Sequence, residues 1–233
     1  MNTPAADGFR MPPEWAPHDR TWMAWPGANA TFGEEGGETL LAARRAWAGV
    51  ARAVRRFEPV TVVAAPAAAQ GARALLGPDI DVVEAELDDA WMRDIGPTFL
   101  TDGAGTLGAT DWIFNGWGAQ DWARWEHDAR IGAHVADLAG ARTYASSLVN
   151  EGGGLHVDGE GTVLLTETVQ LDPDRNPGRT KEDVEAEIHA HLGTTKAIWL
   201  PRGLTADYGR FGTRGHVDIV AAFARPGTVL VHS

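Results

Sequence analysis

Cysteine is absent from all 233 residues of the chain. A disulfide framework, a thiolate zinc site and a cysteine nucleophile are thereby excluded within them. Lysine is nearly absent: only Lys181 and Lys196 occur among 20 basic residues, and the rest are arginine. Positive charge is in deficit, since 20 basic against 32 acidic residues leave −12, with a pI near 5.0. That balance argues against nucleic acid or an anionic membrane as partner and is compatible with a cationic ligand. No run approaches the ~18 apolar residues of a membrane helix. The opening "MNTPAADGFRMPPEW" has no charged region followed by an apolar one, so no secretory signal is read there and a cytoplasmic protein is expected.

Apolar residues make up 44% of the chain, which marks a globular protein, and 28 glycines with 13 prolines favour many turns and short elements. Residues 1–13 read as a loose arm on a single domain. "TWMAWPG" (21–27) reads as a strand and "ETLLAARRAWAGVARAVRRF" (38–57) as a helix. The apolar face of that helix is expected at Leu40, Trp47, Val50, Val54 and Phe57. "VTVVAA" is a strand, 66–76 a weaker helix and 79–87 another strand. A hairpin follows with its turn at Asp102-Gly103, then a helix near 122–139. A second hairpin turns at Asp158-Gly159. "TKEDVEAEIHAHLG" is a helix with Thr180 as N-cap and Gly193 as its stop, and "AIWL" is a strand. "HVDIVAAFARPGTVLVHS" is a third hairpin, turning at Pro226-Gly227.

The order hairpin, helix, strand therefore recurs, and the hairpins align without gaps. Gly105-Thr106 matches Gly161-Thr162 at an offset of 56, and that pair matches Gly227-Thr228 at an offset of 66. The same offsets align Asp94 with Asn150 and Asn150 with His216. Each hairpin is thus reached through a polar or ionisable residue. Such a repeat has the shape of a shared central site, although strand ends are also where polar residues ordinarily sit.

Three stretches could carry chemistry. In "TRGHVD" a strand period of two would put His216 and Asp218 on one face and point Val217 into the core. The pair could serve as acid–base group and clamp, as metal ligands, or simply as a histidine satisfied by its neighbour. In "WMRDIGP" Asp94 could face a cationic group beside an aromatic Trp91, or Arg93 and Asp94 could form a structural pair. In "NEGGG" Glu151 precedes three glycines, which permit close approach or make a plain turn. Asp94, Glu151 and Asp218 around His216 suit a guanidinium, which takes bidentate carboxylate bonds on its edges. A metal site is the competing reading, because His-x-Asp with the distal His232 has the pattern of a non-haem iron triad.

With "MPPEWAPHDRTWMAWPG", "WMRDIGPTF", "NEGGG" and "RGHVDIVAAF" in this order, the chain resembles the agmatine deiminases, which are grouped with bacterial-type peptidyl-arginine deiminases. The resemblance runs from about residue 11 to the end. It implies an α/β propeller of the pentein type, built from hairpin-containing repeats around one axis with the active site on that axis. It implies hydrolysis of a guanidinium to a ureido group with release of ammonia: agmatine to N-carbamoylputrescine, on a route to putrescine. No metal or organic cofactor is implied. Asp94 and Asp218 would hold the guanidinium nitrogens. His216 would protonate the leaving ammonia and then activate water, and Glu151 would pair with His216 and keep it protonated or contribute to the substrate pocket. Trp91 is read as a wall of the pocket. The expected partner is a small cationic guanidino substrate; homo-oligomerisation is left open.

One departure is large. The family nucleophile is a cysteine in a glycine-rich segment near the C-terminus, whose thiolate attacks the guanidinium carbon. This chain has none. It is expected to be an incomplete propeller, ending within the repeat that "GHVD" begins, and to bind substrate weakly at best and not turn it over. A deiminase of arginine or peptidyl-arginine and a guanidinium-binding module without catalysis remain alternatives. For an amino-acid substrate, Arg20, Arg210 and Arg214 are candidates to hold its carboxylate.

Overall fold

A computed structural model describes residues 2–232; Met1 and Ser233, the outer ends of the expected arm and of the last hairpin stretch, lie outside the described residues. The fold is α/β. Its described residues form two compact units, one from Pro17–Met92 and Trp122–Ile131, the other from Arg93–Asp121 with the described parts of Met1–Ala16 and Gly132–Ser233.

The first unit is a parallel β-α-β-α-β arrangement. Strands β1 (Thr21–Ala24), β2 (Val60–Ala64) and β3 (Asp81–Glu84) pair in that order, linked by helices α1 (Glu38–Val54) and α2 (Pro66–Leu76). "VTVVA" is buried at every position because β2 is central and helix-covered. The helices bury small residues, Ala48 and Ala51 on α1 and Ala69 and Ala72 on α2, which lets them lie close to the sheet. This corrects the expected face of α1. Leu40 is buried and Trp47 and Val54 pack against the core, but Val50 is exposed and Phe57 is 84% exposed. Alanine is a weak hydrophobic signal, so the true stripe is hidden in the sequence.

The expected helix near 122–139 is also shorter: a single tight turn, Asp128–Arg130, leads into α5 below. The reason is local. The Asp88 carboxylate accepts from the backbone N–H of His127 and Asp128, while the Asp128 carboxyl accepts from the N–H of Asp88 and Asp89. Burial pushes the Asp128 carboxyl up from 3.8 to about 8, with the charges of Asp88 and Asp89 adding to it and the two N–H donors opposing. The folded state then keeps a proton that the unfolded chain releases. Stability from this group is full below the unfolded value and is lost as pH rises toward the folded one. Thermal melts from pH 5 to pH 9 should show a falling Tm, and Asp128→Asn should flatten that slope.

The second unit contains the repeat. The short helix α3 (Met92–Ile95) leads into the hairpin of β4 (Thr98–Thr101) and β5 (Leu107–Ile113). After the short turn α4 (Gly116–Ala119) and helix α5 (Ile131–Leu138), strand β6 (Arg142–Val149) returns parallel to β5. A second hairpin, β7 (His156–Val157) and β8 (Thr162–Thr166), is followed by α6 (Glu167–Gln170), α7 (Lys181–Leu192) and β9 (Lys196–Leu200), which lies parallel to β8. The two three-stranded sheets share one order and one set of directions. A third hairpin, β10 (Ala221–Arg225) and β11 (Thr228–Val231), follows. Helix α7 starts on the expected Thr180 cap, with Asp183 closing a reciprocal capping box, and stops at left-handed Gly193. It buries Val184, Ile188 and Leu192, one turn apart, against Leu148, Val163 and Leu165.

The arm expected to be loose is docked. Phe9 is buried in that same core, Arg10 pairs with Thr101 through both backbone groups, and the Met11 N–H donates to the Leu192 carbonyl.

Candidate active site

All of the following residues except Trp91 and its ring partners Phe32 and Trp47 belong to the second unit. Each hairpin there is entered through a tight helical turn: α3, then Gly152–Gly154, then Val217–Ile219. Those turns carry or adjoin Asp94, Glu151 and His216, and they bring the three side chains together. His216 is buried, with Nε2 facing Glu151 Oε2 at 3.2 Å and Nδ1 lying 3.7 Å from Asp94 Oδ1. An imidazole with a carboxylate at each nitrogen is built to be a cation. Burial alone would pull its pKa down, but the Asp94 charge, the Glu151 hydrogen bond and charge, and Asp218 raise it above the usual histidine value.

The backbone at His216 differs from expectation. Val217–Ile219 is a tight turn, and the strand starts only at Ala221. The two-residue strand period therefore does not apply to His216 and Asp218, although Val217 is buried as read. The cause is a bracket: Asp207 Oδ2 accepts from the N–H of Gly215 and His216 and from the Thr213 hydroxyl, while its Oδ1 accepts from the Thr213 N–H. Backbone groups spent on a carboxylate cannot pair in a sheet. Asp218 is left exposed. Its carboxyl is nonetheless held above the usual range, first by the protein crowded around it, then by the charge of Asp94, against the lowering effect of His216 and Arg93.

Glu151 is fully buried, and burial by itself would raise its pKa; Arg175 and His216 bring it below the usual carboxylate value. Arg175 is buried too. Its Nε donates to both Glu151 oxygens (3.0 and 3.2 Å), Nη1 to Asp172 (2.8 Å) and Nη2 to the Thr213 carbonyl (2.7 Å). One planar fork thus fixes the carboxylate and the loop that carries His216. Nothing in the sequence singled out Arg175, Asp172 or Asp207. The only signal was "LDPDRNPG", whose turn residues mark a loop next to a buried acid in need of a cation.

The glycines of "NEGGG" serve close approach. A Cβ on Gly152 would overlap the Arg93 carbonyl, and one on Gly153 would overlap His216 Nδ1 and sit 2.9 Å from Asp94 Oδ1. The Gly153 N–H donates to Asp94 Oδ1 at 3.2 Å, and the Trp117 indole N–H donates to Oδ2 at 2.9 Å. Arg93 does not hydrogen-bond Asp94; its guanidinium forks onto Glu14 at 2.8 and 3.1 Å. Trp91 lies in the first unit, stacked on Phe32 and edge-on to Trp47, and is 38% exposed. Among the described residues no group of three histidine or acidic side chains is placed to hold a metal ion, so the triad with His232 has no geometry here. No helix among them is long and apolar enough to cross a membrane.

A buried imidazole between two carboxylates, with the charge of Asp218 also acting on it, is set up to carry and give up a proton, and the carboxylates can accept N–H groups from a planar cation. Known proteins carry the same arrangement of chain. A relative from Streptomyces avermitilis is 74% identical over 234 residues, covering 100% of this chain and 67% of its own length. The agmatine deiminase of Ectopseudomonas mendocina is 44% identical over 235 residues, covering 98% of this chain and 61% of its own. The solved agmatine deiminase of Enterococcus faecalis superposes with a TM-score of 0.91 at 36% identity, over 99% of this chain and 62% of that one. The chain spans about two thirds of the length of these relatives, or a little less. The family model of the Porphyromonas-type peptidyl-arginine deiminases matches residues 10–233. With that match over nearly its whole length, the chain belongs to the Porphyromonas-type peptidyl-arginine deiminase family.

Proposed function

We propose that this chain forms the guanidinium seat and the acid–base part of an agmatine deiminase. The observation that carries the reading is His216 held between Asp94 and Glu151. In this reading Asp94 and Asp218 take the guanidinium edges and orient its carbon. His216 gives its proton to the departing ammonia and then takes one from the water that completes the ureido product. Glu151, kept ionised by Arg175, holds His216 charged until then. The accompanying fold reading is a single propeller domain of such modules. It is supported by the shared order and directions of β4-β5-β6 and β7-β8-β9.

Agmatine is favoured over arginine by where the candidate arginines go. Arg214 is bound to Asp174 at 2.9 Å and lies 3.6 Å from Asp172. Arg20 donates to Thr61 Oγ1 and lies 3.8 Å from Asp81. Arg210 stacks on the Phe211 ring, 4.8 Å from its centre. Two of the three cations proposed for a substrate carboxylate are thus already paired with acids, whereas an amine-ended substrate needs none.

Calorimetry on the purified chain should show agmatine binding at least about tenfold tighter than arginine. The attacking thiolate of the family is not among these residues. The chain alone is therefore expected to release no ammonia from agmatine. Equal affinity for both ligands would refute the substrate assignment, and ammonia release would refute the need for the missing thiol.

A further inference from the structure

A run of unusual backbone beside the site lies in α4. Gly116, Trp117, Gly118 and Ala119 all have positive φ (71°, 58°, 84° and 52°), so four consecutive residues are left-handed. For the two that carry a Cβ, this conformation crowds the following carbonyl. The turn persists because its surroundings over-determine it. Asn115 Oδ1 accepts from the Gly118 N–H at 2.9 Å, and Asn115 Nδ2 donates to the Asp174 carbonyl at 2.9 Å. Gln120 Nε2 donates to the Gly212 carbonyl at 2.7 Å, and Arg214 Nη1 to the Gly118 carbonyl at 3.3 Å. A Cβ on Gly118 would lie 3.0 Å from Asp172 Oδ2, so that glycine is needed for space as well as for its φ.

What the strain achieves is the placement of one group. Trp117 is buried, edge-on to Phe114 with ring centres 5.0 Å apart, and its indole N–H reaches Asp94 Oδ2. The other Asp94 oxygen takes the Gly153 N–H. Each carboxylate oxygen can accept two donors, and His216 Nδ1, at 3.7 Å from Oδ1, is beyond hydrogen-bond distance, so each oxygen keeps a lone pair for a forked cation. The geometry points to Trp117 as a positioning residue: the left-handed turn exists to set the plane of the Asp94 carboxylate for a guanidinium. This rests on the reading of Asp94 as a guanidinium clamp.

The test is Trp117→Phe, which keeps the ring against Phe114 and deletes the N–H. On the 233-residue chain, agmatine affinity by calorimetry should fall about tenfold while cooperative unfolding is retained, the loss expected for one charge-assisted hydrogen bond. Asp94→Asn should weaken binding by more than Trp117→Phe does, and Trp117→Phe added to it should cost nothing more. A folded Trp117→Phe that binds like the wild type overturns the proposal while Asp94 remains the clamp. A wild type that binds no agmatine, or an Asp94→Asn that binds normally, overturns the clamp and the proposal together. Should Trp117→Phe fail to fold, the Trp117 indole resonance in 15N-labelled wild type decides. It should move on adding agmatine and in Asp94→Asn; a signal unmoved in both overturns the proposal.

Discussion

Replacing Glu151 by alanine is expected to cost about 3–5 kcal/mol of stability, because it strands the buried Arg175 and His216 cations without their shared partner. That is a large fraction of the roughly 5–15 kcal/mol that holds a domain folded. Urea unfolding should therefore show the midpoint collapsing, with agmatine binding lost. Glu151→Gln is the milder and more informative change. It keeps an acceptor for Arg175 but removes the charge facing His216, so the histidine should lose its proton at lower pH than in the wild type. The linkage has two limbs of opposite sign. Glu151 sits below its ordinary value, so its contribution is present above the unfolded carboxylate range and is lost as pH falls through the folded value. His216 sits above its ordinary value, so its contribution is full below the unfolded histidine value and is lost as pH rises through the folded one. Stability of this unit should peak between those limbs, and Glu151→Gln should flatten both. A Glu151→Ala protein with wild-type stability would mean that the Arg175–Glu151–His216 line is incidental.

Gly153→Ala is expected to be nearly as damaging, for a steric reason. The new methyl group would occupy the space of His216 Nδ1 and press on Asp94 Oδ1, both ends of the same ion pair. Neither neighbour can retreat: the His216 ring is held at Nε2 by Glu151 and its backbone by Asp207, and Asp94 is held by Trp117. Overpacking of this kind costs about 1–3 kcal/mol. The larger loss should be in affinity, with agmatine weakened by about a hundredfold or more if the clamp is pushed aside. Gly27→Ala, at a position with open space around it, is the neutral control. Calorimetry and thermal melts on the two variants separate displacement of the site from general loss of stability.

The difference between legible and illegible features follows from range. Hairpins turning at Asp102-Gly103 and Asp158-Gly159, and the helix capped by Thr180 and Gly193, were readable because each depends on residues a few positions apart. The alignment of Asp94, Asn150 and His216 was readable because the repeat is local in the same sense. The turn at Val217–Ile219 was not: "HVDI" alternates like a strand and runs into the apolar "VAAF", while the Asp207 and Thr213 side chains, nine and three residues before His216, take the N–H that pairing would use. Arg175 was invisible because its importance lies 24 residues from Glu151 in sequence and at hydrogen-bond distance in space. Left-handed Trp117 departs from the general preference of positive φ for glycine, and such departures collect where a site demands them.

The account stands on His216 being a buried cation between Asp94 and Glu151, and NMR of the chain with 13C,15N-labelled histidine tests that directly. The His216 ring signals should keep imidazolium shifts at pH values above the ordinary histidine value of 6.5. Glu151→Gln should move that transition to lower pH. A His216 that titrates at or below the ordinary value of 6.5 in the wild type would contradict the central claim.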